Sequence, residues 1–190
     1  MNEIQFRRKL AKSLREELSK GELKDKYTIK EGENLIYKVI IDGGLNYRPD
    51  SPWDPRRGDY AFQVDILIAR EISNGNAEKS YLPFVVIETK YGSFSTHDVL
   101  IYSTKALKHK EIYPYIRYGF VVGGIDEIYN KFFTHNVGFD FAFAMKRMRK
   151  SELKKLSAVI QEQLEVAEFL LDIFQNKKKV KIFNSTIKNE

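Results

Sequence analysis

Apolar residues along the chain fall into several distinct rhythms. Over residues 2–20, Phe6, Leu10, Leu14 and Leu18 recur every fourth position among charges, a spacing that predicts a one-sided helix ended by Gly21. Residues 35–41 are rich in β-branched side chains and run into Asp42-Gly43-Gly44, which reads as one short strand and a turn. Residues 45–59 carry Pro49, Pro52, Pro55 and Gly58 and are expected to form no regular element. Residues 60–72 and 81–91 are β-rich and joined through Asn74-Gly75-Asn76, so they predict an antiparallel hairpin. Its second strand, continuously apolar from Leu82 to Ile87, should lie mid-sheet with both faces covered, with Pro83 at its entrance.

Residues 96–111 have a helical pattern, begun by Ser95 or Thr96 as an N-cap, and residues 118–124 form another apolar strand. Phe139, Phe141 and Phe143 alternate with Asp140, Ala142 and Ala144, the period of a strand. A final helix over residues 151–174 has Leu153, Leu156, Ile160, Leu164, Ala167, Leu171 and Phe174 on its stripe. At about 1.5 Å per residue it spans roughly 36 Å, enough to cap the sheet or to join two subunits. The order predicts an α/β fold with a central mixed sheet flanked by helices and a long C-terminal helix. It divides into a core of residues 1–145 and a helical extension of residues 146–190, packed on the core or on a second subunit.

Composition narrows the class. At 190 residues with 43% apolar content, the chain can fill one ordinary core. It has no apolar run near the eighteen or so residues that cross a bilayer, so no membrane partner is expected. The absence of cysteine excludes disulfides, thiolate metal sites and cysteine nucleophiles. With no secretory pattern at the N-terminus, a cytoplasmic protein is expected. The net charge of +6 is uneven: residues 1–145 hold 21 Lys and Arg against 20 Asp and Glu, whereas residues 146–190 hold 11 against 6. The excess lies in Lys146, Arg147, Arg149, Lys150, Lys154 and Lys155, and in Lys177, Lys178, Lys179 and Lys181. That is where a polyanion would be attracted, although basic runs beside a helix also serve as solvated faces.

The sharpest chemical signal is Asp65, followed 23 residues later by Glu88-Thr89-Lys90. Side chains alternate along a strand, so Glu88 and Lys90 share a face, and hairpin pairing brings Asp65 beside Glu88. Two carboxylates at the end of an apolar strand call for compensation. With the Thr89 backbone carbonyl and waters they would suit Mg²⁺, for which Mn²⁺ can substitute. Such an ion acidifies a bound water and offsets charge on a phosphodiester. Lys90 would either hold and deprotonate that water or act as an electrostatic donor to the phosphate. The bland alternative is a surface ion pair between Glu88 and Lys90.

Val64-Asp65-Ile66-Leu67-Ile68 and Phe84-Val85-Val86-Ile87-Glu88-Thr89-Lys90 together resemble the PD-(D/E)xK nuclease superfamily, which includes type II restriction endonucleases and the nuclease domain of type I restriction motor subunits. The resemblance covers roughly residues 3–124. It implies a restriction-endonuclease-like αβββαβ core, metal-dependent hydrolysis of DNA to 5′-phosphate products, Asp65 and Glu88 as metal ligands and Lys90 as the catalytic lysine. Val64 stands where the motif has proline, and the true Pro49-Asp50 pair lies 38 residues before Glu88, outside the hairpin. Many such nucleases add an acid from the first helix, for which Glu3 and Glu17 are both candidates. The helix after the lysine often adds a polar group; Lys105 is a candidate there, with a solvated lysine as the other reading.

Arg48, Trp53, Arg56 and Arg57 in residues 45–59 could contact DNA through phosphates and bases or form a surface loop. Lys146, Arg147, Arg149 and Lys150 are further candidates. His97 and Asp98 are better explained by the helix start than by a metal site. The expectation is thus a Mg²⁺-dependent endodeoxyribonuclease, with a DNA-binding module lacking cleavage and a dimeric interaction protein as rivals. A homodimer would suit cleavage of both strands and imply a palindromic target.

Overall fold

The computed structural model describes residues 1–20, 25–52, 55–73 and 79–182. The first helix, α1 (Glu3–Leu18), starts at Asn2, whose side chain accepts from the Gln5 amide at 2.9 Å while the Gln5 side chain accepts in return from the Asn2 amide at 3.0 Å. That reciprocal cap satisfies two amides the helix cannot satisfy itself. Then follow β1 (Thr28–Glu31), β2 (Asn34–Ile36), β3 (Ile40–Ile41), β4 (Tyr47–Arg48), β5 (Ala61–Gln63), β6 (Ile66–Ser73) and β7 (Lys79–Tyr91). After these come α2 (Thr96–Ile112), β8 (Arg117–Gly123), α3 (Asn130–His135), β9 (Phe141–Met145) and α4 (Lys150–Phe174).

Five strands form the central sheet in the order β1-β6-β7-β8-β9. β1, β6 and β7 are antiparallel neighbours, whereas β7, β8 and β9 run parallel. β7 lies in the middle, which is why Val85, Val86 and Ile87 are all apolar: each is covered from one face or the other. One face packs Phe6, Leu10 and Leu14 of α1 and Leu156, Ile160 and Leu164 of α4 against Val85 and Ile87. The opposite face packs Val99 and Ala106 of α2 against Val86, Tyr118 and Val122. Gly123 allows the first of these layers to close, because a Cβ there would lie 2.4 Å from the Phe6 ring. Leu156, Ile160, Leu164 and Ala167 of the α4 stripe are therefore part of the core, with Leu153 and Leu171 partly buried against it and Phe174 exposed.

Several sequence expectations need correction. The single strand over residues 35–41 is two short strands in different sheets, β2 with β5 and β3 with β4. The second pair also supplies a regular element, β4, inside the proline-rich span, where Arg48–Pro49 is cis. The expected strand over residues 60–72 breaks at Val64 and Asp65, so Asp65 precedes β6 and does not sit inside a strand. Pro83 lies within β7, opposite Ala69 and beside a shift in register, and β8 pairs only from Val85 onward. Its missing N–H thus falls where the ladder is already irregular. β1 and α3 have patterns too short to stand out. The expected turn at Asn74-Gly75-Asn76, the helix stop at Gly21 and Trp53 lie outside the described residues.

Candidate active site

Because β7, β8 and β9 are parallel, their C-terminal ends line up along one edge of the sheet, tied there by Gly92 N–H to the Gly123 carbonyl and Gly124 N–H to the Met145 carbonyl, both 2.8 Å. Glu88 and Lys90 sit at that edge. Asp65 reaches it because β6 ends its pairing with Ile66 opposite Ile87, leaving Asp65 one step on, level with Glu88. The break that frees Asp65 is held by Val64 N–H to the Glu33 carbonyl at 2.8 Å and Gly32 N–H to the Asp65 carbonyl at 3.2 Å. Thr89 donates to Asp65 Oδ2 from its backbone N–H at 2.8 Å and its hydroxyl at 2.7 Å. Since N–H and C=O of a strand residue point to the same neighbour, the Thr89 carbonyl also faces the Asp65 side. Arg7 of α1 donates to Asp65 Oδ1 at 3.1 Å.

Glu88 is 1% exposed. Its Oε1 accepts from Lys105 Nζ at 2.7 Å and from the Tyr118 hydroxyl at 3.0 Å, while Oε2 has no protein donor among the described residues. Burial raises the Glu88 pKa; Lys105 and the Tyr118 hydrogen bond oppose the rise and the Asp65 charge adds to it. Lys105 also binds the Gln63 carbonyl. It is a partly buried counter-charge, which corrects its reading as a solvated lysine. Behind Tyr118 lies His109, fully buried, with Nδ1 3.1 Å from the hydroxyl and Nε2 3.1 Å from the Leu35 carbonyl. A carbonyl only accepts, so Nε2 carries the proton and the neutral ring presents Nδ1 as an acceptor. Tyr118 has one proton for two acceptors; when Glu88 is ionised and takes it, Nδ1 has no donor.

Lys90 shares the α2 side with Glu88, as strand alternation requires. It is held between Glu3 Oε2 and Asp98 Oδ1, each 3.2 Å away, with the Tyr102 ring centroid at 5.5 Å. Partial burial works against its charge, but Tyr102, Asp98 and Glu3 outweigh it and hold the pKa above the ordinary lysine value. This clamp fixes the ammonium at the sheet edge between two carboxylates. It also separates the two helix candidates: Glu3 reaches the site, whereas Glu17 pairs with Lys20 at the far end of α1. Asp98 has two tasks, since it also completes the α2 cap with Ser95. The bland alternative, a Glu88–Lys90 surface pair, does not form; each residue has other partners.

The donor set of Asp65, Glu88 and the Thr89 carbonyl is all oxygen, which suits a hard divalent ion. Among the described residues no group of three or more His, Cys, Asp and Glu side chains is gathered for a metal. Two carboxylates would therefore need the carbonyl and waters, a mixture that Mg²⁺ accepts. Arg7 on Asp65 and Lys105 on Glu88 already supply positive charge, and the Glu88 Oε2 is the oxygen left open.

The other candidates divide by position. Lys146, Arg147, Arg149 and Lys150 follow β9 and so share the Lys90 edge, with Lys146 paired to Asp126 at 2.6 Å. Lys177, Lys178, Lys179 and Lys181 lie beyond the other end of α4, about 37 Å along its axis, so the two basic runs do not form one surface. Arg48 is engaged by Asp42 at 3.0 Å and Asp50 at 3.7 Å. Arg56 is exposed, and Arg57 lines a groove that includes Lys105. Arg7, Tyr102, Tyr118 and His109 do not stand out in the sequence. Only contacts between elements far apart in the sequence reveal them. No protein-family model and no curated protein matches the chain.

Proposed function

We propose that this chain is a metal-dependent DNA endonuclease with a restriction-endonuclease-like core. The observation that carries the reading is the placement of Asp65 level with Glu88 at the sheet edge where Lys90 and the Lys146–Lys150 run also collect. The order helix, three antiparallel strands, helix, parallel strand supports it, as does an acid from the first helix on the lysine. Asp65, Glu88 and the Thr89 carbonyl would hold Mg²⁺ or Mn²⁺, which when bound supplies an acidified water and offsets phosphate charge. Lys90, oriented by Glu3 and Asp98, donates to a non-bridging oxygen of the scissile phosphate as charge builds there. Lys105 and Tyr118 hold the Glu88 carboxylate in place. The basic residues after β9 position the backbone without reading sequence.

One observation favours a second reading. Lys105 already neutralises Glu88, as it would in a DNA-binding module that does not cleave. Incubating supercoiled plasmid with the protein and Mg²⁺, Mn²⁺ or EDTA separates the two. The nuclease reading predicts metal-dependent nicking, lost in Asp65→Ala and in Lys90→Ala, with ends that ligase can reseal. A gel shift without nicking in any metal favours the binding module instead.

A further inference from the structure

A groove of about 790 Å³ runs beside the Glu88 site, between α2 and the strand pair β2–β5. One wall is aromatic: Tyr37 and Phe62 stack with centroids 3.8 Å apart and planes within 9°. The opposite wall is Leu100 and Ile101 of α2, and Ile101 is 49% exposed. Apolar side chains of this size left open to water in a concave site mark a place where something binds.

The charge around the groove says what kind of ligand. Its described lining residues include Arg57, Lys105 and Lys108 and no Asp or Glu; Lys105 is paired with Glu88 at 2.7 Å and Lys108 with Glu111 at 2.9 Å, and Arg57 has no carboxylate partner among the described residues. An apolar slot with Arg57 at its rim and no carboxylate in its described lining suits a ligand that joins a flat apolar face to a negative charge. Paired DNA does not offer this, because its bases are stacked inside and its surface is phosphate. An unpaired nucleotide does. The groove also ends at the candidate active site, since Lys105 belongs to both and its ammonium is 2.7 Å from Glu88 Oε1.

We infer that this groove seats an unpaired base of a DNA strand whose backbone passes Lys105 toward the Asp65–Glu88 centre, so that the preferred substrate has a single-stranded tail or gap beside a duplex. This rests on the nuclease reading for its direction, but the groove can be tested without cleavage. Ile101→Glu and Leu100→Glu each put a like charge beside the incoming phosphate at a solvent-exposed position, and Val166→Glu on α4 is an exposed control.

The probe is a duplex carrying a short tail with 2-aminopurine, compared with the same base inside a blunt duplex, both in EDTA. Wild type and Val166→Glu should change the fluorescence of the tail base and bind the tailed duplex about tenfold or more tightly than the blunt one, in line with base stacking on aromatic walls. Both groove variants should lose that preference while keeping blunt-duplex binding and the wild-type melting temperature. Equal binding of tailed and blunt probes by wild type overturns the inference, as does an unchanged preference in both groove variants. A change only in sedimentation, with DNA binding intact, overturns it too by assigning the groove to a second copy. Plasmid nicking with no tail preference defeats this inference alone; a tail preference without nicking in any metal defeats the nuclease reading alone.

Discussion

Acid should weaken this fold through one buried ring before it titrates most carboxylates. His109 is 0% exposed and wedged between the Leu35 carbonyl and the Tyr118 hydroxyl. Burial lowers its pKa from 6.5 to about 4, the Leu35 interaction opposing and the Lys105 charge adding. In the unfolded chain it titrates near its ordinary value. As pH falls through that value the unfolded chain takes up the proton first, so the stabilisation is complete above about pH 6.5 and lost progressively down to about pH 4. A gap of roughly 2.5 units at about 1.36 kcal/mol each amounts to about 3 kcal/mol, a large share of the ~5–15 kcal/mol that holds a domain together. The comparison is wild type against His109→Gln, whose amide can still donate to Leu35 but cannot titrate. Urea unfolding at several pH values from about 7.5 to 4 should show the two stabilities converging by about 3 kcal/mol, wild type losing more. Curves that stay parallel within about 0.5 kcal/mol would refute a neutral, buried His109.

Removing one partner of the buried pair, Lys105→Met, should cost about 3 kcal/mol in urea unfolding, and Glu88→Gln added to it should restore most of that, because the cost is an uncompensated carboxylate. Leu156→Ala should cost about 2–5 kcal/mol, independent of protein concentration, since Leu156 is fully buried in the core; a concentration-dependent loss would place α4 in a dimer. Replacing Lys146, Arg147, Arg149 and Lys150 with alanine should flatten the salt dependence of DNA binding by about 0.9 in log–log slope for each phosphate that is no longer neutralised. The same change at Lys177, Lys178 and Lys179, at the other end of α4, should leave the slope unaltered.

Much of this architecture can be read from periodicity because burial is one-sided in the helices and two-sided in β7. Phe6, Leu10 and Leu14 mark the buried stripe of α1, and the run through Ile87 marks a central strand. The breaks are harder to read. Residues 60–72 look like one strand because Val64 and Asp65 interrupt pairing through hydrogen bonds to Gly32 and Glu33, partners from another part of the chain. The site divides in the same way. Asp65, Glu88 and Lys90 stand out by type and spacing, and Glu88 and Lys90 share a side of the sheet as alternation predicts. Arg7, Asp98, Lys105 and Tyr118 look ordinary on their own elements. They acquire roles only where α1, α2 and β8 converge, and Lys105 resembles any solvated helix lysine until its partner proves to be a buried glutamate.

The most direct test of an ion held between the Asp65 and Glu88 side chains is anomalous scattering from a crystal soaked in Mn²⁺. A peak is expected within bonding distance of both carboxylates, roughly 2.0–2.3 Å from oxygen, with the Thr89 carbonyl turned toward it. A crystal showing no peak between the two carboxylates would contradict a metal ion held there.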